Sequence, residues 1–215
     1  MDRQIVNWAM QNGLKERIVS LDLETKVING NFLSGETLLS ATVSRRTGDV
    51  KTNVIALEEE TVSGEIELLT KLDDLLLKVR PVIVVGFNHR GYDNVLLTTK
   101  KRLLGKPGLW GIKDTLERAH MLDVMHAARF AIAEYENSSP KILSLAKVLE
   151  HPMFAKLPLK RTKSLLNGES DKGLQIYNLW KNDRGKFVKY AEGDAHDTLL
   201  IFEEIFRYGQ LQPKI

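Results

Sequence analysis

IVSLDLET, residues Ile18 to Thr25, is where the fold is decided. Ile18, Val19, Leu21 and Leu23 make an apolar run that predicts a strand over Arg17 to Leu23. Alternation along a strand puts Asp22 and Glu24 on one face and Leu21 and Leu23 on the other. Two carboxylates side by side can hold a hard cation through oxygen. An isolated Asp-x-Glu also reads as a polar strand end before a turn, but this one is unique in the chain and follows directly on an apolar strand.

Working outward, Thr37 to Ser44 and Val50 to Leu57 read as two more strands. Arg46-Thr47-Gly48-Asp49 is the turn between them, so the three form an antiparallel meander. The period then changes. Ile66, Leu69, Leu72, Leu76 and Val79 recur every three or four residues, the apolar stripe of a helix. Ser63 is its expected cap, Glu65 and Glu67 suit the positive end of its dipole, and Pro81 closes it. Val82 to Val85 is a continuous β-branched run, the mark of a strand buried on both faces. Strand, helix, strand predicts a crossover into a parallel neighbour. Tyr92 to Leu104 reads as a helix and Arg118 to Val124 as a strand. From Ile142 onward helices are expected, separated by Pro152, Pro158 and Asn167-Gly168. The fold class expected is α/β, a mixed sheet of an antiparallel three-strand meander plus parallel strands, flanked by helices. Residues 1–16 read as a lead-in, with Ile5, Val6, Trp8 and Ala9 packing as a helix that Asn12-Gly13 ends. No repeat or low-complexity linker divides residues 17–215, so one domain is expected.

Composition sets outer bounds. The 215 residues are 43% apolar and 27% charged, the balance of an ordinary globule. No apolar run reaches bilayer-spanning length, and the N-terminus lacks a secretory pattern. Cysteine is absent, which excludes disulfides and thiolate metal sites. The expectation is an intracellular, cytoplasmic protein with no membrane partner. A net charge of +3 and a pI near 9.0 permit nucleic-acid binding without establishing it.

Two further acidic motifs complete a set. Asp93 lies in VIVVGFNHRGYDNVLL (Val82 to Leu97), just past the buried strand, where ligand sites of α/β sheets gather; it also suits a helix start. Tyr190 and Asp194 lie in VKYAEGDAHDTLLIF (Val188 to Phe202). Four residues apart on a predicted helix, they share a face. Asp194 is the only aspartate with a tyrosine four residues before it. Asp197, three residues further, is the substitute ligand. Gly193 costs roughly 1 kcal/mol in a helix interior relative to alanine, so something is expected to approach the backbone there, either the first strand or a substrate.

Together the motifs resemble the DEDD superfamily of 3′→5′ exonucleases, with an RNase H-like fold. The tyrosine points to the DEDDy branch; the sister branch has a histidine five before the aspartate, where this chain has Lys189. Gly86-Phe87-Asn88 leading to Tyr92-Asp93 is most similar to the proofreading exonuclease domains of family-B DNA polymerases and their stand-alone relatives. The resemblance covers about Arg17 to Phe206. It implies that residues 17–215 are a single exonuclease domain, a metal-dependent hydrolase acting on single-stranded or frayed DNA. It implies Asp22, Glu24, Asp93 and Asp194 as metal ligands for two Mg²⁺ or Mn²⁺ ions. One ion would be held by Asp22, Glu24 and Asp194 and the other by Asp22 and Asp93, with Tyr190 orienting the attacking water. Leu23, Thr25, Phe87 and Asn88 flank the acidic residues and are the substrate-binding candidates. The alternatives are an RNase D-like nuclease acting on RNA and a non-catalytic nucleic-acid-binding module.

The remaining polar residues rank lower. His89, His120, His126, His151 and His196 show no metal-ligand spacing, and structural or surface roles are expected for all five. Lys100, Lys101, Arg102 and Lys106 form one basic cluster, and Lys156, Lys160, Arg161 and Lys163 another. Each reads equally as a solvated face or as a phosphate contact.

Overall fold

A computed structural model describes residues 2–26, 36–88, 92–105, 108–166 and 171–211. The calls on His89, Lys106 and the Asn167-Gly168 turn lie outside these residues. The elements are α1 (Asp2–Gln11), β1 (Ile18–Lys26), β2 (Thr37–Thr47), β3 (Asp49–Ala56), α2 (Val62–Val79), β4 (Ile83–Gly86), α3 (Asp93–Leu103) and α4 (Trp110–Arg118). They continue with β5 (His120–Asp123), α5 (Val124–Glu136), α6 (Leu145–Glu150), α7 (Lys172–Asn182) and α8 (Arg184–Leu211).

The five strands form one sheet in the order β3-β2-β1-β4-β5. β1 to β3 pair antiparallel, whereas β4 runs parallel to β1 and β5 parallel to β4. This is the expected meander plus parallel strands, an α/β sheet of the RNase H-like kind. Alternation assigns the two faces of β1. Val19, Leu21 and Leu23 pack with Leu68, Leu72 and Leu76 of α2, and with Leu96 of α3 and Ile112 of α4. Ile18 belongs to the opposite core, with Val6 and Ala9 of α1, Ala128 and Ile132 of α5, and Leu199 and Phe202 of α8. The lead-in helix is therefore part of the body. α8 lies against β1, β2, β3 and β4 and covers the face that carries Asp22 and Glu24.

Three local features depart from expectation. The cap of α2 is Thr61, whose hydroxyl accepts from the Gly64 N–H at 3.0 Å, and not Ser63. α4 and α5 were not foreseen: α4 is short and strongly amphipathic, and α5 begins where β5 ends, with Asp123 as its cap. Between Glu24 and Thr25 the register of β1 and β2 shifts. Glu24 pairs with Ser40 and Thr25 with Leu38, so Leu39 is the extra residue of a bulge. The Leu38 N–H donates to Glu65 Oε1 at 2.7 Å, and Lys100 Nζ lies 2.8 Å from the same oxygen. Glu65 and Lys100 are 7% and 5% exposed. Burial of both charges is sustained by their pairing and by the backbone donor. Lys100 is thereby removed from the basic cluster proposed for phosphates, and Glu65 serves the bulge as well as the start of its helix.

Candidate metal centre

The carboxylates of Asp22, Glu24 and Asp194 each present an oxygen, and these oxygens lie within 4.8 Å of one another. β1 supplies the first two from its α8-facing side, and α8 supplies the third. No other group of this kind exists among the described residues. Asp22 Oδ2 is buried and has no hydrogen-bond partner among the described residues. Buried carboxylates at this spacing resist ionisation. Burial, then Glu24 and Asp194, raise Asp22 well above the usual carboxylate range. Burial and the Asp194 charge push Glu24 up to about 8, against the opposing pull of Lys163. Asp194 is also raised by burial, with Lys163 opposing. A set of oxygen donors, mutually repelling and with an orphaned buried atom, fits a hard divalent cation.

Asp93 stands beside this trio and outside it. Its Oδ1 accepts the Leu23 N–H at 3.1 Å, which ties the start of α3 to β1. Burial pushes its pKa up to about 7, with the Leu23 N–H opposing. Tyr190 is 2% exposed, and its hydroxyl accepts from Lys163 Nζ at 2.7 Å. Burial, then the charges of Glu24 and Asp194, hold its phenol far above the ordinary tyrosine range, so it stays protonated. Lys163 Nζ also pairs with Asp194 Oδ2. Burial works against the Lys163 ammonium, but Asp194, Glu24 and Asp22 outweigh it and its pKa is raised. Lys163 was legible only as one member of a basic cluster. Its role in the acidic centre depends on a fold that sequence spacing does not reveal.

That placement has a visible cause. Asp197 is 1% exposed and accepts the Lys160 and Arg161 N–H groups, both at 2.8 Å. It anchors the segment that carries Lys163 and is not part of the trio. The close approach expected at Gly193 is present, and it comes from the segment that carries Lys163, not from β1. A Cβ there would overlap the Thr162 side chain. Of the second basic cluster, Lys160 pairs with Glu192 at 2.5 Å, while Lys156 and Arg161 are exposed.

The substrate-binding candidates divide. Leu23 is 5% exposed in the core, so its side chain is not offered as a wedge. Thr25 Oγ1 is 2.6 Å from Tyr92 Oη, which donates to Glu36 Oε2 at 2.6 Å. Phe87 is half-buried against the second core. Asn88 is exposed, has a φ of 62°, and donates its N–H to Asp123 Oδ1 at 3.0 Å. The described histidines keep to other roles. His120 meets Asp2, His151 meets Glu136, His196 meets Asp197, and His126 is exposed.

The fold and the acidic trio define an RNase H-like α/β protein with a candidate cation site. No protein-family profile and no curated protein matches the chain. Among solved structures, the family B DNA polymerase from the hyperthermophilic archaeon Pyrobaculum calidifontis is similar, with a TM-score of 0.63 and 19% identity over 89% of this chain. The chain spans 24% of the length of that polymerase. At this identity the likeness is one of fold. No helix among the described residues is long and apolar enough to cross a membrane.

The raised carboxylates give a signed expectation. Glu24 binds a proton in the folded, metal-free protein up to about pH 8, and when unfolded only to its usual 4.5. The folded state therefore holds more protons between these values, and stability of the metal-free protein falls as pH rises from 4.5 to about 8. A cation competes with those protons. The rise in melting temperature on adding Mg²⁺ should grow from pH 5 to pH 8.5, measured by thermal unfolding with and without the ion. A constant increment would count against a cation held by these groups.

Proposed function

We propose that the protein is a metal-dependent 3′→5′ exonuclease that hydrolyses phosphodiester bonds of single-stranded or frayed DNA. The observation that carries this reading is the clustered trio of Asp22, Glu24 and Asp194 with its buried, unpartnered oxygen. Asp22, Glu24 and Asp194 would hold one Mg²⁺ or Mn²⁺, and Asp22 with the adjacent Asp93 a second. Bound there, such ions supply Lewis-acid polarisation of a phosphoryl oxygen and an activated water. The similarity in fold to a DNA polymerase and the sequence motifs support DNA as the substrate.

The chain's own groups take defined parts. Tyr190 is too poor an acid to serve as a base. Its hydroxyl accepts from Lys163, so its proton remains free to be donated, to Asp194 or to an attacking water. Lys163 offsets part of the carboxylate charge and stands ready for the phosphate as negative charge builds on it. Asp197 holds the backbone at Lys160 and Arg161, and with it the approach of Lys163.

The test is digestion of a 5′-labelled single strand, with a matched 3′-labelled strand. With Mg²⁺ or Mn²⁺, the 5′-labelled strand should shorten stepwise and the 3′ label should leave as a mononucleotide. EDTA should abolish both, and added ion should restore them. Cleavage at full rate in EDTA, or no cleavage with either ion, overturns the proposal. A matched RNA strand degraded faster than DNA would replace DNA as the substrate.

A further inference from the structure

The face of the sheet beneath α8 carries more than the acidic residues. Asp22 lies directly opposite Thr42 in the antiparallel pair, and Glu24 directly opposite Ser40. Opposed residues on one face have Cβ atoms about 4.5–5.5 Å apart. Thr42 and Ser40 are both 0% exposed, and neither hydroxyl has a hydrogen-bond partner among the described residues. Two orphaned hydroxyls thus flank a carboxylate that is orphaned itself at Asp22 Oδ2. Leaving a buried polar group unpaired costs about 1–3 kcal/mol, and valine and alanine would fill the same positions without that cost.

We propose that Thr42 and Ser40 are positioning residues for the metal centre: their hydroxyls donate across the strand pair to the carboxylates of Asp22 and Glu24 through one bridging water, and fix the orientation in which those carboxylates hold a divalent cation. The proposal rests on the metal reading above. Its chemistry is that of outer-shell donors to ligating carboxylates, whose loss typically weakens metal binding by about 10–100-fold. The geometry also gives each hydroxyl its own target, because the register pairs Thr42 with Asp22 and Ser40 with Glu24. The bulge at Leu39 lies immediately beyond Ser40 and ends this regular pairing at the site's edge.

The test is calorimetric or EPR titration of the intact protein with Mn²⁺, in the absence of nucleic acid. Thr42→Val keeps the shape and removes the hydroxyl. It should weaken Mn²⁺ binding about 10–100-fold while the metal-free protein melts at or above the wild-type temperature. Thr42→Ser restores the hydroxyl and should bind within about threefold of wild type, a rescue that a packing role would not produce. Ser40→Ala tests the second hydroxyl by the same titration, and serves should Thr42→Val not fold. Wild-type affinity in the folded Thr42→Val or Ser40→Ala protein overturns the proposal alone. Absence of Mn²⁺ binding in the wild-type protein overturns the metal reading and the proposal with it.

Discussion

Asp22→Asn should abolish hydrolysis while making the metal-free protein more stable. The two effects share one cause. Asp22 is the residue common to both proposed ions, and the metal centre is asked for several kcal/mol of transition-state charge stabilisation. At 1.36 kcal/mol per decade, its loss slows the reaction by about a thousandfold or more. Without metal, the same carboxylate faces Glu24 and Asp194 and keeps Oδ2 buried and unpartnered. An amide in its place removes the repulsion and keeps the shape. Asp194→Asn should slow hydrolysis comparably but lacks the stabilising half, because it also strips Lys163 of its partner. Single-turnover cleavage and thermal unfolding in EDTA, on the same preparations, make the comparison. A folded Asp22→Asn protein that cleaves at the wild-type rate would remove Asp22 from the site. One that is markedly less stable without metal would contradict the electrostatic account.

Glu65→Gln should cost about 3–5 kcal/mol of stability, a large share of the roughly 5–15 kcal/mol that holds an ordinary domain folded. The glutamine keeps an acceptor for the Leu38 N–H but leaves the Lys100 ammonium buried without a counter-charge. Lys100→Met alone should cost less, since Glu65 would retain its backbone donor. The double variant should recover most of the loss, because removing both charges leaves no buried ion uncompensated. Urea unfolding of the three variants measures this cycle. A Glu65→Gln protein within about 1 kcal/mol of wild type would mean that the pair is solvated in solution and does not hold the bulge.

The sequence made the sheet legible because its signals are local. Gly48 in a tight turn, the stripe from Ile66 to Val79, and the run Val82 to Val85 each declare an element without reference to the rest of the chain. Asp22, Glu24 and Asp194 were legible as a set because their motifs are ordered and unique. What escaped notice was long-range. Glu65 suited a helix start and Lys100 a basic surface, and nothing in their spacing joins them over Leu38. Asp197 sat near the right helical face for a ligand, yet it is committed to the Lys160 and Arg161 amides. Lys163 enters the centre because those amides hold its segment in place and Thr162 nests against Gly193. α5 went unread for another reason. Its apolar residues follow directly on β5, so no turn residue marks where one period gives way to the next.

The order of the strands and α8 along the chain bears on how the protein is made. β1, β2 and β3 emerge from the ribosome before α8 and can pair with one another at once. The face they leave open beside Asp22 and Glu24 carries Ser20, Ser40, Thr42 and Ser44, side chains that water satisfies well while nothing covers them. A more apolar face would invite aggregation during that interval. Lys163 and Asp194 follow all five strands in the chain, so the acidic trio and its counter-charge come together only after the whole sheet has emerged. Between the emergence of β1 and that of α8, a nascent chain therefore carries Asp22 and Glu24 without the centre itself.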